Sequence, residues 1–180
     1  KDEVMEHIAV SVVMGSDSDL GVMEEALTVL QELAIGYEVV VTSAHRSPQR
    51  TALFARQASK RGIEVIIAGA GHAAHLAGVI ASHTLLPVIG VPIDSSPLKG
   101  FDALLSMVQM PPGIPVATMA VGKSGARNAG VFAAHLLALK YPEVRQRLIT
   151  YRERMTRSLQ AKAQAVEKKY SSAKERSKKD

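Results

Sequence analysis

The chain has 180 residues with 22 basic and 17 acidic side chains, 47% hydrophobic residues, and neither cysteine nor tryptophan. That length suits one domain with a substantial core, and the apolar share is too high for a disordered polymer. Zero cysteine excludes a disulfide framework, a thiolate metal site and a cysteine nucleophile, and it fits a reducing, cytoplasmic setting.

The charged opening from Lys1 to His7 gives no sign of a secretory signal, and a start at lysine is expected to mark a trimmed or incomplete N-terminus. Ala9–Met14 is a short apolar run that predicts a strand, followed by the turn Gly15-Ser16-Asp17-Ser18-Asp19. A helix fits Leu20–Leu33, with Met23, Leu27 and Leu30 on one face. Val-rich Tyr37–Thr42 predicts a strand, and Ser47-Pro48 opens a helix to Arg61, because proline suits the first helical turn. Val65 to Ile93 then runs for 29 residues without Asp, Glu, Lys or Arg, long enough to imitate a membrane span. Its punctuation by Gly69, Gly71, Gly78, Pro87 and Pro92 argues instead for a buried strand over Ile63–Ala68, a glycine turn, a helix over Ala73–Ser82, and a strand over Val88–Val91 ended by Pro92. Phe101–Val108 predicts a short helix, Ile114–Ala120 a strand, Ser124–Leu139 an Ala-rich helix, and Pro142 the start of a long helix to about Lys168.

Strand and helix thus alternate about five times, which predicts an α/β fold: a three-layer αβα sandwich on a parallel sheet, with a long C-terminal helix. The expected organisation is a catalytic domain over 1–140, a C-terminal helix over 141–170, and a frayed basic tail over 171–180. The net charge of +5 is concentrated late. Residues 141–180 hold 12 basic and 5 acidic side chains, leaving 10 and 12 for the rest. A nearly neutral body with a solvated basic end predicts no nucleic-acid partner, and no membrane partner is expected.

In such folds ligands bind at the carboxyl ends of the strands, so the loops that follow strands are the places to look. In the first, Ser16 and Ser18 precede a helix whose free amides and dipole suit a phosphate; N-capping by Ser18 or Asp19 is the plainer reading. Gly15 is expected to permit a sharp exit from the strand. Asp17 and Asp19 would repel a phosphate unless they point elsewhere, and Asp19 is a candidate acceptor for sugar hydroxyls. In the second, Ser43-Ala44-His45-Arg46, Arg46 is a planar anion clamp and His45 can give and take a proton near neutral pH. The third, Gly69-Ala70-Gly71-His72-Ala73-Ala74-His75, formally satisfies a dinucleotide-binding pattern, but it follows the third strand instead of the first. His72 and His75, three apart on the expected helix, have no nearby carboxylate or thiol to complete a metal site, so none is expected. Met107 and Met110 are expected to be packing residues, as is His135.

Four blocks together carry a more specific signal. Gly15-Ser16-Asp17-Ser18-Asp19, Ser43-Ala44-His45-Arg46, Gly69-Ala70-Gly71 with Ala73-Ala74-His75-Leu76, and Gln109-Met110-Pro111 with Gly113-Ile114-Pro115-Val116 resemble the PurE family; Gly122-Lys123-Ser124-Gly125-Ala126 with Asn128-Ala129 also fits. The resemblance covers about residues 9–150. It implies a flavodoxin-like sandwich, assembled as a homo-octamer with C-terminal helices reaching onto neighbours. It implies a mutase of purine biosynthesis that moves a carboxyl group from the exocyclic nitrogen to ring carbon C4 of aminoimidazole ribonucleotide, with CO2 as a held intermediate and no cofactor. Ser16, Ser18 and Arg46 would bind the phosphate and Asp19 the ribose. His45 would transfer the proton, and Ser43, Ala44, Ala70, Gly71, His75 and Leu76 would surround the aminoimidazole and its carboxyl group. Arg46 after His45 resembles the mutase branch, where the direct carboxylase branch more often has lysine. His72 and Ala77 depart from the Gly and Pro of many bacterial members. The alternatives are a direct carboxylase using free CO2 and a non-catalytic nucleotide-binding module.

Overall fold

The computed structural model describes residues 7–176, with side chains to Tyr170. It contains β1 (Val10–Met14), α1 (Leu20–Glu32), β2 (Tyr37–Val41), α2 (Pro48–Gln57), β3 (Val65–Gly71), α3 (Leu76–Ala81), β4 (Val88–Ile93), α4 (Phe101–Val108), β5 (Ala117–Thr118), α5 (Lys123–Leu137) and α6 (Pro142–Arg176). The chain divides into two compact units, one ending at Arg145 and the other starting at Gln146. The second unit is the body of α6. Of the expected frayed tail over 171–180, the backbone is helical as far as Arg176, and residues 177–180 lie outside the described residues.

All strand pairs are parallel, in the order β2-β1-β3-β4-β5. The chain therefore reverses direction between β1 and β3, the switch point of a flavodoxin-like sheet. α1 packs on α5 on one face, and α2, α3 and α4 cover the other. Parallel strands covered on both faces must be apolar throughout, and β1 and β4 are buried at every position. On one face Val13, Ile66 and Ala68 meet Phe54, Ala77, Ile80 and Met107. On the other, α5 buries Gly125, Ala126, Ala129, Gly130, Ala133 and Ala134. Small residues are needed there: a Cβ on Gly130 would lie 3.0 Å from both the Ala26 carbonyl oxygen and Val29 Cβ.

Four elements differ in their limits from expectation. β4 runs through Pro92 to Ile93. The Pro92 carbonyl faces the β5 side, where it accepts from the Gly122 amide at 2.8 Å. The missing Pro92 N–H would face the same way, beyond the last β5 pairing at Gly90↔Thr118, so no ladder bond is lost. β3 extends to Gly71 because Gly69, Ala70 and Gly71 pair with Val91, Pro92 and Ile93. Those glycines belong to a strand, which removes the dinucleotide-loop reading. α3 starts only at Leu76, because His72 takes a left-handed φ of 54° that no helix accommodates. His72 and His75 therefore share no helix face. The expected strand over Ile114–Ala120 shrinks to Ala117–Thr118, since Ile114 donates into a turn to Pro111 and Pro115 has no N–H. The packing expectations for Met107, fully buried, and for Met110, whose sulfur lies against Gly78, hold.

Among the described residues no helix is long and apolar enough to cross a membrane. The apolar run from Val65 to Ile93 is the pair β3 and β4 with α3 between them.

At the amino end of β3, Glu64 gathers three partners: the Tyr141 hydroxyl, Lys140 Nζ at 3.0 Å and His7 Nε2 at 3.3 Å. Burial pushes the Glu64 carboxyl up, but the bonds from Tyr141, Lys140 and His7 outweigh it and hold the group below its usual 4.5. A depressed carboxyl contributes stability that is present above its unfolded pKa and lost as pH falls through the folded one. Glu64→Gln is therefore expected to lower stability by about 1–2 kcal/mol at pH 7, with the deficit vanishing in urea unfolding well below pH 4.5.

Candidate active site

Four loops converge at the carboxyl edge of the sheet. In the first, Ser16 is extended and caps the short 3-10 turn Asp17–Asp19. Its hydroxyl accepts from the Ser18 amide at 3.4 Å and donates to Asp17 at 3.0 Å, while the Asp19 carboxylate accepts from the Ser16 amide at 3.1 Å. This reciprocal box differs from the expected capping by Ser18 or Asp19, and it engages the Ser16 and Ser18 amides. At Gly15 a Cβ would sit an ordinary 3.7 Å from Asp19, and its φ is not left-handed, so the strand exit itself does not demand glycine.

Asp19 is buried, only 5% exposed. Burial raises its pKa, countered in part by the amides of Ser16 and Gly15 and by the charges of His72 and Arg46. Its carboxylate is held by the Ser16 amide of its own loop at the cavity wall, while Asp17 does not line the cavity.

The second loop is held by hydroxyls. Ser47 Oγ accepts from the Ser43 amide at 3.0 Å, Thr42 bonds Thr51 at 2.9 Å, and the Arg46 amide donates to Ser43 Oγ at 3.2 Å. This scaffold leaves His45 exposed and swings Arg46 across to donate from Nη2 to the Gly15 carbonyl at 3.0 Å. The third loop brings His75 to meet it: His45 Nε2 and His75 Nδ1 are 2.8 Å apart, with the rings nearly perpendicular at 79°. A Cβ on Gly71 would lie 1.9 Å from Ser95 Oγ, so only glycine lets the loop after β4 approach this closely. Ser95 Oγ in turn lies 3.3 Å from His72 Nδ1.

Together these loops line a cavity of about 550 Å³. Its wall includes Ser16, Ser18 and Asp19; Ser43, Ala44, His45 and Arg46; and Ala70, Gly71, His75 and Leu76. Every candidate from the sequence is thus in one place. Gly15, His72, Ala73 and Ser95 complete the lining. Ser95 was not singled out by sequence reasoning; expecting the strand to end at Pro92 hid that Ser95 follows its true carboxyl end. A second cavity of about 530 Å³ lies at the amino edge near His83, Arg56 and Ser59, where no second histidine or carboxylate faces His83. Among the described residues no three metal-ligating side chains cluster. One exposed imidazole bonded to another, beside a fixed guanidinium and a buried carboxylate, can bind an anionic ligand and pass protons to it.

Comparison with known proteins gives the arrangement a family. Residues 9–158 match the AIR carboxylase family. The chain belongs to it. Within the AIR carboxylase family, a Thermotoga maritima protein named N5-carboxyaminoimidazole ribonucleotide mutase is 54% identical over 158 residues, 88% of this chain and 91% of the relative. A Pyrococcus abyssi protein of the same name is 60% identical over 148 residues, 82% of this chain and 84% of the relative. The crystal structure of Treponema denticola PurE superposes with a TM-score of 0.77 at 25% identity, covering 85% of this chain and 94% of that one.

The buried Asp19 of this AIR carboxylase family member generates a pH test. A raised carboxyl contributes stability that is present below its unfolded pKa and lost as pH rises through the folded one. Asp19→Asn keeps an acceptor for the Ser16 amide and removes the buried charge. Relative to the parent, the variant is expected to be more stable at pH 7 than below pH 3.8 in urea unfolding; the reverse ordering would contradict the burial effect.

Proposed function

We propose that the protein is an N5-carboxyaminoimidazole ribonucleotide mutase of purine biosynthesis, converting the N-carboxylated ribonucleotide to its C4-carboxylated isomer. The observation that carries this reading is the His45–His75 pair, at 2.8 Å, inside a cavity that also holds Arg46, Asp19 and the serines. Relatives bearing the mutase name at 54% and 60% identity favour it over direct carboxylation with free CO2.

The proposed chemistry follows from the groups present. Arg46, with Ser16 and Ser18, receives the phosphate, its guanidinium offering donors beyond the one used on Gly15. Asp19 accepts from the ribose hydroxyls. A nitrogen line of 2.8 Å between two imidazoles holds one proton, because two N–H groups would clash there. The substrate displaces His75 from His45 Nε2, and His45, entering the step as the imidazolium, delivers its Nε2 proton to the exocyclic nitrogen as the N–C bond breaks and CO2 departs, leaving the ring neutral. Ser43, Ala44, Ala70, Gly71, His75 and Leu76 confine the CO2 beside the ring, which removes the entropy cost of a second encounter. The C4–C bond forms from the electron-rich ring, and neutral His45 takes the C4 proton. Nothing is gained or lost overall, and the ring supplies the electron pair. The reaction proposed is a cytoplasmic one, a reading consistent with a phosphorylated substrate that a membrane retains.

The proposed assembly is a homo-oligomer, an octamer in the fullest form of the reading, with 141–170 serving as an inter-subunit helix. Support comes from Met155, Leu159, Val166 and Tyr170 on α6, all more than half exposed and recurring at intervals of four and seven. Light scattering is expected to give a mass of several subunits for the full chain and a smaller one after truncation at Pro142; an unchanged mass would refute the helix's role.

His45→Asn tests the mechanism. Substrate binding is expected to persist within about threefold, while turnover falls at least about a hundredfold, the usual scale for losing a general acid–base. A variant with near-parental kcat would remove His45 from the proton path.

A further inference from the structure

The proposed reaction uses His45 and His75 and leaves a third imidazole in the same cavity without a task. His72 is exposed on its wall, among Asp19, Gly71 and Ser95. Its backbone is held at φ 54°, a conformation costing a side-chain-bearing residue about 1–2 kcal/mol, although histidine is one of the few types found there. The ring is also steered. Nδ1 is 3.3 Å from Ser95 Oγ, and Ser95 Oγ occupies the space that a Cβ on Gly71 would fill, next to the start of the His72 turn. With Nδ1 engaged, Nε2 is the nitrogen left for a ligand. When the Ser95 hydroxyl donates to Nδ1, Nε2 carries the proton and is a donor.

Position decides what such a donor would meet. The proton-handling pair joins the loops after β2 and β3, whereas His72–Ser95 joins those after β3 and β4. Asp19, His72 and Arg46 line the same cavity, and the charges of both His72 and Arg46 act on the Asp19 carboxylate. A ligand whose sugar is seated on Asp19 therefore shares its cavity with both the Arg46 guanidinium and the His72 ring.

We propose that His72, oriented by Ser95, is a further substrate-binding residue that donates from Nε2 to the sugar-phosphate part of the ribonucleotide. The inference rests on the mutase reading for its substrate and assigns His72 no proton transfer. A contact made equally in ground and transition states raises KM when lost and leaves kcat alone. Ser95 is a positioning residue that acts through the ring.

His72→Gly is the informative variant, because glycine adopts φ 54° without strain and the loop is kept. It is expected to raise KM for the N-carboxylated ribonucleotide about tenfold, the scale of one lost hydrogen bond to a charged partner, with kcat within about twofold. Ser95→Ala should raise KM by a smaller factor, and the double variant should match His72→Gly alone. His72→Asn, a type tolerated at left-handed φ and bearing an amide donor, should restore part of the affinity. Calorimetry with ribose 5-phosphate, which has no imidazole ring, provides an arm that needs no turnover. It is expected to bind the parent and to bind His72→Gly about tenfold more weakly. An unchanged KM in His72→Gly, a loss confined to kcat, or ribose 5-phosphate that fails to bind the parent or binds both proteins alike would each overturn the assignment. Absence of mutase turnover in the parent would instead overturn the functional reading, while the ribose 5-phosphate arm would still judge His72.

Discussion

The contact between His45 and His75 exists only because parallel pairing delivers every loop to one edge. β1 is flanked by β2 and β3 in register, with Met14 opposite both Val41 and Gly69, so the chains leave these strands at the same level. Each following loop must then share a narrow space above β1, the switch point of the sheet. Two side chains 30 positions apart in sequence consequently come within hydrogen-bond distance.

The same crowding explains the glycines. Gly69 accommodates Met23 from α1, whose sulfur would be 2.3 Å from an added Cβ, and Gly71 accommodates Ser95. These glycines serve close approach within a strand, and neither has a left-handed φ. The strained position is the next one, His72, where the backbone turns out of β3 before α3 can begin. A cavity wall built this way is rigid on the strand side and carries its polar groups on short, cross-linked loops. Thr42, Ser43, Ser47 and Thr51 do that for the second loop, and Ser16 with Asp19 does it for the first. Rigid support of this sort is what holds reacting groups in a productive geometry.

Two carboxylates illustrate how the surroundings assign opposite behaviour to similar groups. Asp19 is buried with mostly backbone partners, and burial wins. Glu64 is also desolvated, but three side-chain donors meet it and their combined effect prevails. The first belongs to the cavity, and the second ties the start of β3 to residues 140 and 141 at the far end of the sheet.

The alternation of apolar runs with Pro- and Gly-marked turns was enough to read a parallel α/β sandwich and to direct attention to the loops after strands. This worked because buried parallel strands must be apolar and helices must return across the sheet. The motif residues were legible for the same reason: each sits at a strand end, and all gather in one cavity. Strand and helix limits at residues 71–76 and 92–93 were not legible, since they depend on which neighbour supplies hydrogen bonds: Gly122 for Pro92, and β4 for Gly69 to Gly71. Nor could sequence show that Asp19 takes the Ser16 amide, that Arg46 reaches Gly15, or that Ser95 holds His72. Residue types and local periodicity determine which elements form and which chemistry is available, because those are properties of neighbours along the chain. Which groups face one another, which amides remain free and which charge is buried were decided by tertiary structure, because those depend on segments brought together only by folding.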